Sequence, residues 1–294
     1  MLSILIPIFQ YDVRQLVERL QAQAQSLTVP WEIVCLDDGS DEFWRQRNQP
    51  VSRLSGVRYE EAVQNLGRSR VRNELARLAT YPFLLFMDCD SGVVRTDFLA
   101  KYVQHLEQNT VLCGGRVYAS ARPADYHYAL HWLYGTEREA RPVERRSVKP
   151  YHSFMTNNFV VPAAVLQAIP FDERLTQYGH EDTLFGQELE HADISVRHLD
   201  NPLEHVGLET ATEFLAKAEK AVCNLAFLRK QDTPIHTRLT DTYDDLAHRG
   251  FLVATGMALS WLNGCFRKNL LSRYPDLRIF DAWRLGLFIQ AMRN

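Results

Sequence analysis

Two aspartates, Asp88 and Asp90, directly follow an apolar run, residues 81–87, that predicts a buried strand. Residues two apart in an extended chain point to the same side, so the two carboxylates can converge on one point. Such a point suits Mg²⁺ or Mn²⁺, because these cations prefer oxygen ligands and can bridge a carboxylate to the phosphates of a bound molecule. The same spacing is common in solvated loops, so the surrounding elements must decide between the two interpretations.

Strand-like and helix-like patterns alternate through the first half of the chain and put these carboxylates at a strand end. This order favours an α/β fold with a mostly parallel sheet flanked by helices. Ligands of such sheets bind beyond the carboxyl ends of the strands, where Asp37 and Asp38 also lie. The predicted strands span residues 2–6, 31–36, 56–60, 83–87 and 110–117, and the predicted helices span 12–27, 41–49, 68–79 and 96–107.

Net charge, cysteine content and the length of apolar runs limit the possible partners and the cellular compartment of the protein. The 294 residues carry a net charge of −3, which gives no general electrostatic case for a nucleic-acid partner. Five cysteines are scattered along the chain and no Cys-x-x-Cys occurs, which favours reduced thiols in a cytoplasmic protein. No uninterrupted apolar run reaches about 18 residues, so the sequence predicts no membrane-spanning helix.

Further polar residues stand at the boundaries of the predicted elements. Asp38 at a strand end can accept hydrogen bonds from a base or a ribose, and Gly39 allows a tight turn with positive φ. Arg68 and Arg72 share one face at the start of a helix, where backbone donors and the helix dipole attract anions. An ordinary capped turn and a solvated basic face are the alternatives for these two segments.

The order of five segments resembles the family 2 glycosyltransferases, whose Rossmann-like catalytic fold is called GT-A. The resemblance covers residues 1–209 and implies a catalytic domain there, followed by a helical extension over residues 210–294. It also implies an inverting, metal-dependent hexosyl- or N-acetylhexosaminyltransferase of polysaccharide biosynthesis. The segments are Ile6-Pro7-Ile8-Phe9, Leu36-Asp37-Asp38-Gly39-Ser40, Asn65 to Asn73, Asp88-Cys89-Asp90 and Gly179-His180-Glu181-Asp182.

A nucleotide-sugar site at the ends of the first strands is the next implication of the resemblance. In the family the Asp-Asp-Gly-Ser segment recognises the uridine of the donor, which carries that role to Asp38 first and to Asp37 second. A UDP-sugar is therefore the expected donor. The residues expected to bind it are Pro7, Phe9, Asp37, Asp38, Asn65, Gly67, Arg68, Arg72, Asp88, Asn157 and Asn158.

Mn²⁺ or Mg²⁺ is the cofactor that the resemblance implies, with Asp90, Asp88 and His205 as its expected ligands. Asp90 corresponds to the direct ligand of the family, whereas Asp88 contacts ribose or a metal-bound water. His205 is the better match for a histidine ligand near the end of the catalytic core, and His198 is its competitor. The metal would neutralise charge on the departing nucleoside diphosphate.

Asp182 corresponds to the general base of the family. That base deprotonates the acceptor hydroxyl, which attacks the anomeric carbon from the face opposite the diphosphate, so the configuration inverts. Glu181 would position the acceptor or the loop. Without the resemblance, two carboxylates at the start of a helix read as caps.

Asn157 and Asn158 mark a departure from the family pattern, because many relatives carry a Gly-Gly-Asn stretch in this region. Both amides can still donate to and accept from a sugar hydroxyl. A turn element is the alternative interpretation of an asparagine pair in a loop.

Two regions lie outside these motifs. Residues 120–150 predict loops or short helices, and their basic stretch is either a solvated loop or a contact for an anionic substrate or lipid. Residues 210–294 predict helices that pack on the catalytic domain, form a homodimer or lie on a membrane surface. A glycan or a lipid-linked saccharide is the expected acceptor, and peripheral contact with the inner membrane face is the alternative to a freely cytoplasmic protein.

Two other functions stay open at this point. A nucleotidyltransferase also combines carboxylates, a metal and a nucleotide, but its Gly-rich basic loop after the first strand is replaced by Pro7-Ile8-Phe9-Gln10. A carbohydrate-binding protein with a decayed site is the second alternative. Against it stands the joint presence of Asp38, Asp88, Asp90, Asp182 and His205. Hydrolysis of the donor without transfer also stays open.

Overall fold

A computed structural model of the chain describes residues 1–175 and 178–293. The described residues form two compact units. The predicted division at residue 209 into a catalytic domain and a helical extension stays a prediction. The first unit contains residues 1–119, 139–175 and 181–207, and the second contains residues 120–138, 178–180 and 208–293.

Strands and helices follow one another in the order that the hydrophobic patterns predict. The described strands are Leu2–Ile8 (β1), Trp31–Asp37 (β2), Val57–Glu61 (β3), Phe83–Met87 (β4), Ser91–Val93 (β5), Thr110–Cys113 (β6), Arg116–Val117 (β7), Asn158–Pro162 (β8), Ser195–His198 (β9) and Leu203–His205 (β10). The described α-helices are Arg14–Ala24 (α1), Glu42–Asn48 (α2), Arg68–Leu78 (α3), Phe98–Val103 (α4), Ala129–Tyr134 (α5), Val143–Val148 (α6), Ala163–Ala168 (α7), Glu181–His191 (α8), Ala211–Lys230 (α9), Arg238–His248 (α10), Leu252–Leu270 (α11) and Leu277–Arg293 (α12).

A sheet in the order β3-β2-β1-β4-β8-β6-β9 forms the centre of the first unit. β1 runs parallel to β2 and β4, and β2 runs parallel to β3, so these strands end at one edge. β8 is antiparallel to β4 and β6, and β9 is parallel to β6. Strands β5, β10 and β7 form a small second sheet. The predicted α/β class with a mostly parallel sheet and flanking helices is confirmed.

Both faces of the large sheet are buried, because alternate side chains of each strand enter two different cores. One core packs Met87 of the sheet with Leu16 of α1. The other packs Phe86 with Val71 of α3 and Phe185 of α8. The face that α3 and α8 cover is therefore the face on which Phe86 lies.

The strand predicted over residues 110–117 is interrupted by Gly114 and Gly115. Gly115 has a φ of +87°, and a Cβ there would lie 2.7 Å from the guanidinium carbon of Arg146. The buried arginine therefore needs the space that a glycine leaves, and the glycine pair turns the chain from β6 of the large sheet into β7 of the small one.

Residues 120–150 form short helices, as predicted, with a π-turn over Gly135–Glu139 between α5 and α6. The basic stretch in this region is not one solvated face. Arg146 is buried, whereas Arg145 and Lys149 are exposed. The arginine at position 146 therefore has a role inside the fold.

The second unit is helical, as the periodicity after residue 210 predicts. Its core contains Leu215, Phe280 and Trp283, and α12 packs on both α9 and α11. α11 leaves Met257 and Trp261 exposed, Trp261 to 86%. A helix with the length and apolar character needed to cross a bilayer is absent from the described part of the chain.

Candidate active site

The first strands bring several predicted donor-binding residues to one edge of the sheet. Ile8 of β1 lies opposite Asp37 of β2, and the backbone N–H of Asp38 donates to the carbonyl of Ile8 at 2.7 Å. Pro7 is partly buried in β1, and the side chain of Phe9, just beyond it, is 47% exposed. The edge therefore combines buried carboxylates with an accessible aromatic ring.

Asp37 shapes the turn after β2. Its carboxylate accepts from the backbone N–H of Ser40 at 2.7 Å and from the hydroxyl of Tyr59 at 3.1 Å. Gly39 has a φ of +73°, and a Cβ there would lie 2.6 Å from the backbone nitrogen of Asn65. The predicted positive φ of Gly39 is confirmed, and the side chain of Asp37 is engaged inside the fold.

Asp38 holds the loop that leads into α3. Its two carboxylate oxygens accept from the backbone N–H groups of Leu66 at 2.6 Å and Gly67 at 3.2 Å, and the Asn65 amide donates to its carbonyl at 3.1 Å. Burial raises the pKa of Asp38 to about 6, although the two backbone hydrogen bonds act in the opposite direction. Three predicted nucleotide-binding residues, Asp38, Asn65 and Gly67, are therefore gathered.

Asp88 lies between two arginines just beyond β4. One carboxylate oxygen accepts from Arg72 at 3.0 Å and the other accepts from Arg116 at 3.0 Å. Arg72 is 1% exposed, so it is not part of a solvated basic face. The partners of Asp88 are thus arginines, whereas Asp90 lies against His205.

Glu181 joins α8 to α3 through two arginines of α3, Arg68 and Arg72. Its carboxylate accepts from Arg68 at 3.0 Å and lies 4.0 Å from Arg72. Burial alone would raise the pKa of Glu181, but Arg68 and Arg72 outweigh burial and lower it. The start of α8 is therefore fixed by an ionised carboxylate next to Asp182.

Asp182 has the opposite electrostatic setting. Burial first, and the charge of Glu181 second, raise the pKa of Asp182 to about 6. Its carboxylate accepts from the backbone N–H of Thr183 at 2.7 Å. A carboxylate with such a pKa is a stronger base than a surface aspartate and is still mostly ionised at neutral pH. Two neighbouring carboxylates with pKa values pushed apart are typical of acid–base sites.

Asp90 and His205 are brought together by the small sheet. His205 of β10 pairs with Ser91 of β5, and its Nδ1 lies 3.5 Å from a carboxylate oxygen of Asp90. Burial would raise the pKa of Asp90, but His205 and then Arg116 outweigh burial and lower the pKa to about 2. A carboxylate and an imidazole in contact form a donor set that suits a divalent cation.

The expected three-residue metal set is only partly assembled. Asp90 and His205 approach each other, whereas Asp88 is held by arginines. Among residues 1–175 and 178–293, no group of three or more His, Cys, Asp or Glu side chains is arranged to hold a metal ion. Two protein ligands nevertheless fit Mn²⁺ or Mg²⁺ when the phosphates of a nucleotide supply further oxygens.

His198, the competitor of His205, is committed to the fold. Its Nδ1 accepts from Arg146 at 2.7 Å, because a guanidinium can only donate, and its Nε2 then donates to the carbonyl of Pro150 at 3.0 Å. Burial lowers the pKa of His198 to about 4. Both ring nitrogens are used, so this histidine offers no lone pair to a metal.

The adjacent residues Asn157 and Asn158 differ in the hydrogen bonds of their side chains. The amide of Asn158 accepts from the hydroxyl of Tyr102 at 2.7 Å and donates to the carbonyls of Gly115 at 3.0 Å and Asn201 at 2.9 Å. Asn157 is 3% exposed, and neither its Oδ1 nor its Nδ2 has a hydrogen-bond partner among the described residues. An unsatisfied buried polar group costs about 1–3 kcal/mol of stability, so the Asn157 amide destabilises the folded protein.

Arg116, Tyr118 and Glu139 were not indicated by the sequence. They link Asp88 to His205, the partner of Asp90. Arg116, which binds Asp88, also donates to Glu139 at 3.1 Å, and the hydroxyl of Tyr118 donates to Glu139 as well. The ring of Tyr118 lies 5.3 Å from the ring of His205. Glu139 comes from the region without a clear period, so no spacing in the sequence could have connected it with Asp88.

Known proteins share this architecture. The family model described as glycosyl transferase family 2 matches residues 3–160, more than half of the chain. The mannosyltransferase PcManGT from Pyrobaculum calidifontis, solved in complex with GDP-Man and Mn²⁺, is 14% identical with a TM-score of 0.61, over 100% of this chain and 86% of that chain.

Two further solved structures are similar to this chain. TarS residues 1–349 from S. aureus are 15% identical with a TM-score of 0.51, over 99% of this chain and 90% of that chain. Glucosyl-3-phosphoglycerate synthase from Mycobacterium tuberculosis, in complex with Mn²⁺, UDP and glucosyl-3-phosphoglycerate, is 14% identical with a TM-score of 0.53, over 80% of this chain and 81% of that chain. At these identities the likeness shows the fold alone, and no curated protein matches the sequence significantly. With more than half of its length matched by the family model, the chain belongs to glycosyl transferase family 2, which confirms the predicted family, GT-A fold and glycosyltransferase class.

Proposed function

We propose that this chain transfers a sugar from a nucleotide sugar to a hydroxyl of a glycan or lipid-linked saccharide, with inversion at the anomeric carbon. The observation that carries the proposal is the position of Arg72, which lies 3.0 Å from Asp88 and 4.0 Å from Glu181. One side chain thereby lies between Asp88, just beyond β4, and Glu181, at the start of α8. This contact supports a donor site and a general base at one end of the sheet.

The donor site of this proposal runs along the edge formed by β1, β2 and β4. Asp38 and the loop at residues 65–67 hold the nucleoside, with Pro7 and Phe9 beside it, and Asp88 lies toward the diphosphate. The family resemblance favours UDP. PcManGT was solved with GDP-Man and the synthase from Mycobacterium tuberculosis with UDP, so both nucleosides belong in the test.

Asp90 and His205 are the residues that would hold Mn²⁺ or Mg²⁺. A cation bound to them neutralises negative charge on the leaving nucleoside diphosphate. The mannosyltransferase PcManGT and the synthase from Mycobacterium tuberculosis were both solved with Mn²⁺ beside their nucleotides, which supports a divalent metal here. Arg72 and Arg116 hold the carboxylate of Asp88 in one orientation from both sides.

Asp182 is the general base of the proposed reaction. Its carboxylate takes the proton of the acceptor hydroxyl as that oxygen forms a bond to the anomeric carbon. The bond between the anomeric carbon and the diphosphate breaks on the opposite face, and the electron pair leaves with the diphosphate. Glu181, which is held by Arg68, keeps the first turn of α8 and therefore Asp182 in position.

The acceptor of the proposal is a saccharide, and a lipid-linked one would bring the protein to the inner face of a membrane. The exposed side of α11, with Met257 and Trp261, supports contact with a lipid surface. Flotation with vesicles of phosphatidylglycerol and of phosphatidylcholine tests this part of the proposal. Retention on neither vesicle, with a dimeric mass in solution, would favour the homodimer, and a monomeric mass would favour a freely cytoplasmic protein.

Nucleotide binding is the first experiment. A ligand of the native state raises the melting temperature by mass action, so thermal unfolding is followed with UDP, GDP, CMP and dTDP, each with Mn²⁺ and with EDTA. We expect a metal-dependent rise that is selective for UDP. A rise with GDP alone would correct the nucleoside, and no rise with any nucleotide would favour a carbohydrate-binding protein with a decayed site.

Product analysis separates the remaining reaction classes. A transferase releases nucleoside diphosphate only as fast as a glycoside forms, and proton NMR of the new anomeric centre reports inversion. Release of diphosphate without a glycoside would indicate hydrolysis. Formation of pyrophosphate from a nucleoside triphosphate and a sugar phosphate would indicate a nucleotidyltransferase.

A further inference from the structure

The unsatisfied amide of Asn157 lies at a definite place in the sheet. β4 and β8 are antiparallel with Met87 opposite Asn158, so the next pair along the ladder is Asp88 and Asn157. The backbone N–H of Asp88 donates to the carbonyl of Asn157 at 3.2 Å, which continues the ladder by this pair. Directly opposite residues of antiparallel strands point to the same face, so the side chain of Asn157 stands beside that of Asp88.

That face is the one that α3 and α8 cover. Phe86 and Phe159, each two residues from this pair, stack at 5.1 Å on the same face, and Phe159 also contacts Phe185 of α8. Asn158 points to the opposite face, where its amide is fully bonded. Two neighbouring asparagines thus provide one satisfied amide on the structural face and one unsatisfied amide on the face of Asp88.

The order of the strands indicates which part of a donor reaches Asn157. Along the sheet edge the sequence of strands is β2, β1, β4 and β8, so Asn157 lies three strand spacings, about 14 Å, from Asp38. A nucleotide sugar with its base at Asp38 reaches that far only with its sugar end, because its ribose and diphosphate occupy the edge of β1 and β4.

We propose that Asn157 is a specificity-determining residue that hydrogen-bonds a hydroxyl of the transferred sugar. The inference rests on the proposed function and names the residue that distinguishes one donor sugar from another. A phosphate oxygen can only accept and would leave the Asn157 carbonyl oxygen unsatisfied, whereas sugar hydroxyls both donate and accept and can satisfy both amide atoms. A buried site built for a hydroxyl rejects a sugar that lacks it, because the polar group is then left without a partner.

The test compares Asn157→Leu with Asn158→Leu, a matched change at the adjacent residue. We expect Asn157→Leu to keep or raise the melting temperature of the free protein, because it removes a buried amide without partners. We expect Asn158→Leu to lower the melting temperature, because the carbonyls of Gly115 and Asn201 and the hydroxyl of Tyr102 lose their partner. Asn157→Ala serves as a second variant if leucine does not fit the site.

Ligand affinity provides the second measurement, with UDP, GDP, UDP-glucose, UDP-N-acetylglucosamine and GDP-mannose as probes. In the wild type we expect one sugar donor to bind more tightly than its own nucleoside diphosphate. Asn157→Leu and Asn157→Ala should bind that diphosphate normally and lose the advantage of the sugar, by about tenfold or more.

Several results would overturn the inference. They include a loss of stability in Asn157→Leu and Asn157→Ala equal to that in Asn158→Leu, an equal loss of affinity for the diphosphate and the sugar donor, or a wild type that gains nothing from any of the three sugars. Normal diphosphate binding with an unchanged sugar advantage in the variants overturns this inference alone. A wild type that binds no nucleotide at all overturns the proposed function and this inference with it.

Discussion

The first unit buries two groups of polar side chains, one around the Gly114-Gly115 turn and one just beyond β4. The anchor cluster around the turn comprises Tyr102, Arg146, Asn158 and His198. Arg146 donates to the carbonyls of Cys113 at 3.2 Å, Gly114 at 3.2 Å and Leu199 at 2.8 Å, besides its bond to His198. The site cluster beyond β4 comprises Arg68, Arg72, Asp88, Asp90, Arg116, Asn157, Glu181, Asp182 and His205.

The two clusters use their hydrogen-bonding capacity in different ways. In the anchor cluster neutral carbonyls receive the donors of one arginine, and the amide of Asn158 is fully bonded. In the site cluster charges face charges from different elements, and the Asn157 amide has no partner. Buried polar groups with hydrogen-bond partners stabilise a fold. Buried polar groups without partners cost stability, and such a group at a site indicates a ligand. Changes in the anchor cluster should therefore cost stability, and changes in the site cluster should cost function.

The largest effect should follow Asp182→Asn. An amide cannot accept the acceptor proton, so we expect the turnover rate to fall by about 10³-fold while nucleotide binding and the melting temperature stay near those of the wild type. Initial rates of diphosphate release in the presence of acceptor measure the loss. Glu188→Gln, on the same helix and outside the site cluster, is the control. Loss of donor affinity with normal turnover would contradict the role of Asp182.

Arg146→Met should produce the largest loss of stability in the anchor cluster. Buried carbonyls and the His198 ring lose their donor, so we expect the free energy of unfolding to fall by about 3 kcal/mol. Urea denaturation measures it. Arg145→Met, at the exposed neighbouring position, should change stability by no more than about 0.5 kcal/mol. Equal effects of the two substitutions would remove the distinction between the clusters.

Asp90→Ala should weaken Mn²⁺-dependent nucleotide binding by about tenfold or more. Removing a residue that only supports a metal ligand already lowers metal affinity by about this factor, and removing the ligand itself should cost at least as much. Asp88→Asn should have a smaller effect on the metal, because the partners of Asp88 are Arg72 and Arg116. Titration of Mn²⁺ by electron paramagnetic resonance in the presence of UDP measures both. The reverse order of effects would make Asp88 the principal ligand.

The pH dependence of turnover should show the smallest and most specific effect. Because the pKa of Asp182 is raised to about 6, its basic form is lost as the pH falls through 6, and the rate should drop about tenfold per pH unit below that value. Glu181→Gln removes a neighbouring negative charge and should move this acid limb to lower pH. A pH–rate profile that stays flat from pH 5 to 8 would contradict the assignment.

Much of the fold could be predicted because local hydrophobic patterns carry it. The strand predicted over residues 83–87 has those bounds, and the helix predicted over 68–79 is observed at Arg68–Leu78. The interruption at Gly114 and Gly115 could not be predicted, because its cause is Arg146, a residue 31 positions beyond Gly115 in the chain. Period and propensity describe neighbours in sequence, whereas that turn depends on a contact in space.

The candidate site divides in the same way. Residue types and their order indicated Asp38, Asp90, Asp182 and His205, because strand ends and helix starts can be read from the sequence. The division between Asn157 and Asn158 could not be read from two identical residues, since only the register of β4 and β8 sends one amide to each face.

The sequence by itself determined the class of the fold, the strand ends that carry the carboxylates and the family to which the chain belongs. Only the tertiary structure decided which charges are paired. Arg116 reaches Asp88 from β7 and is held in turn by Glu139 from a separate element, and His198 is excluded as a ligand by Arg146. The physical reason is that periodicity encodes which side of an element is buried, whereas pairing of buried polar groups depends on distances between elements that no local pattern contains.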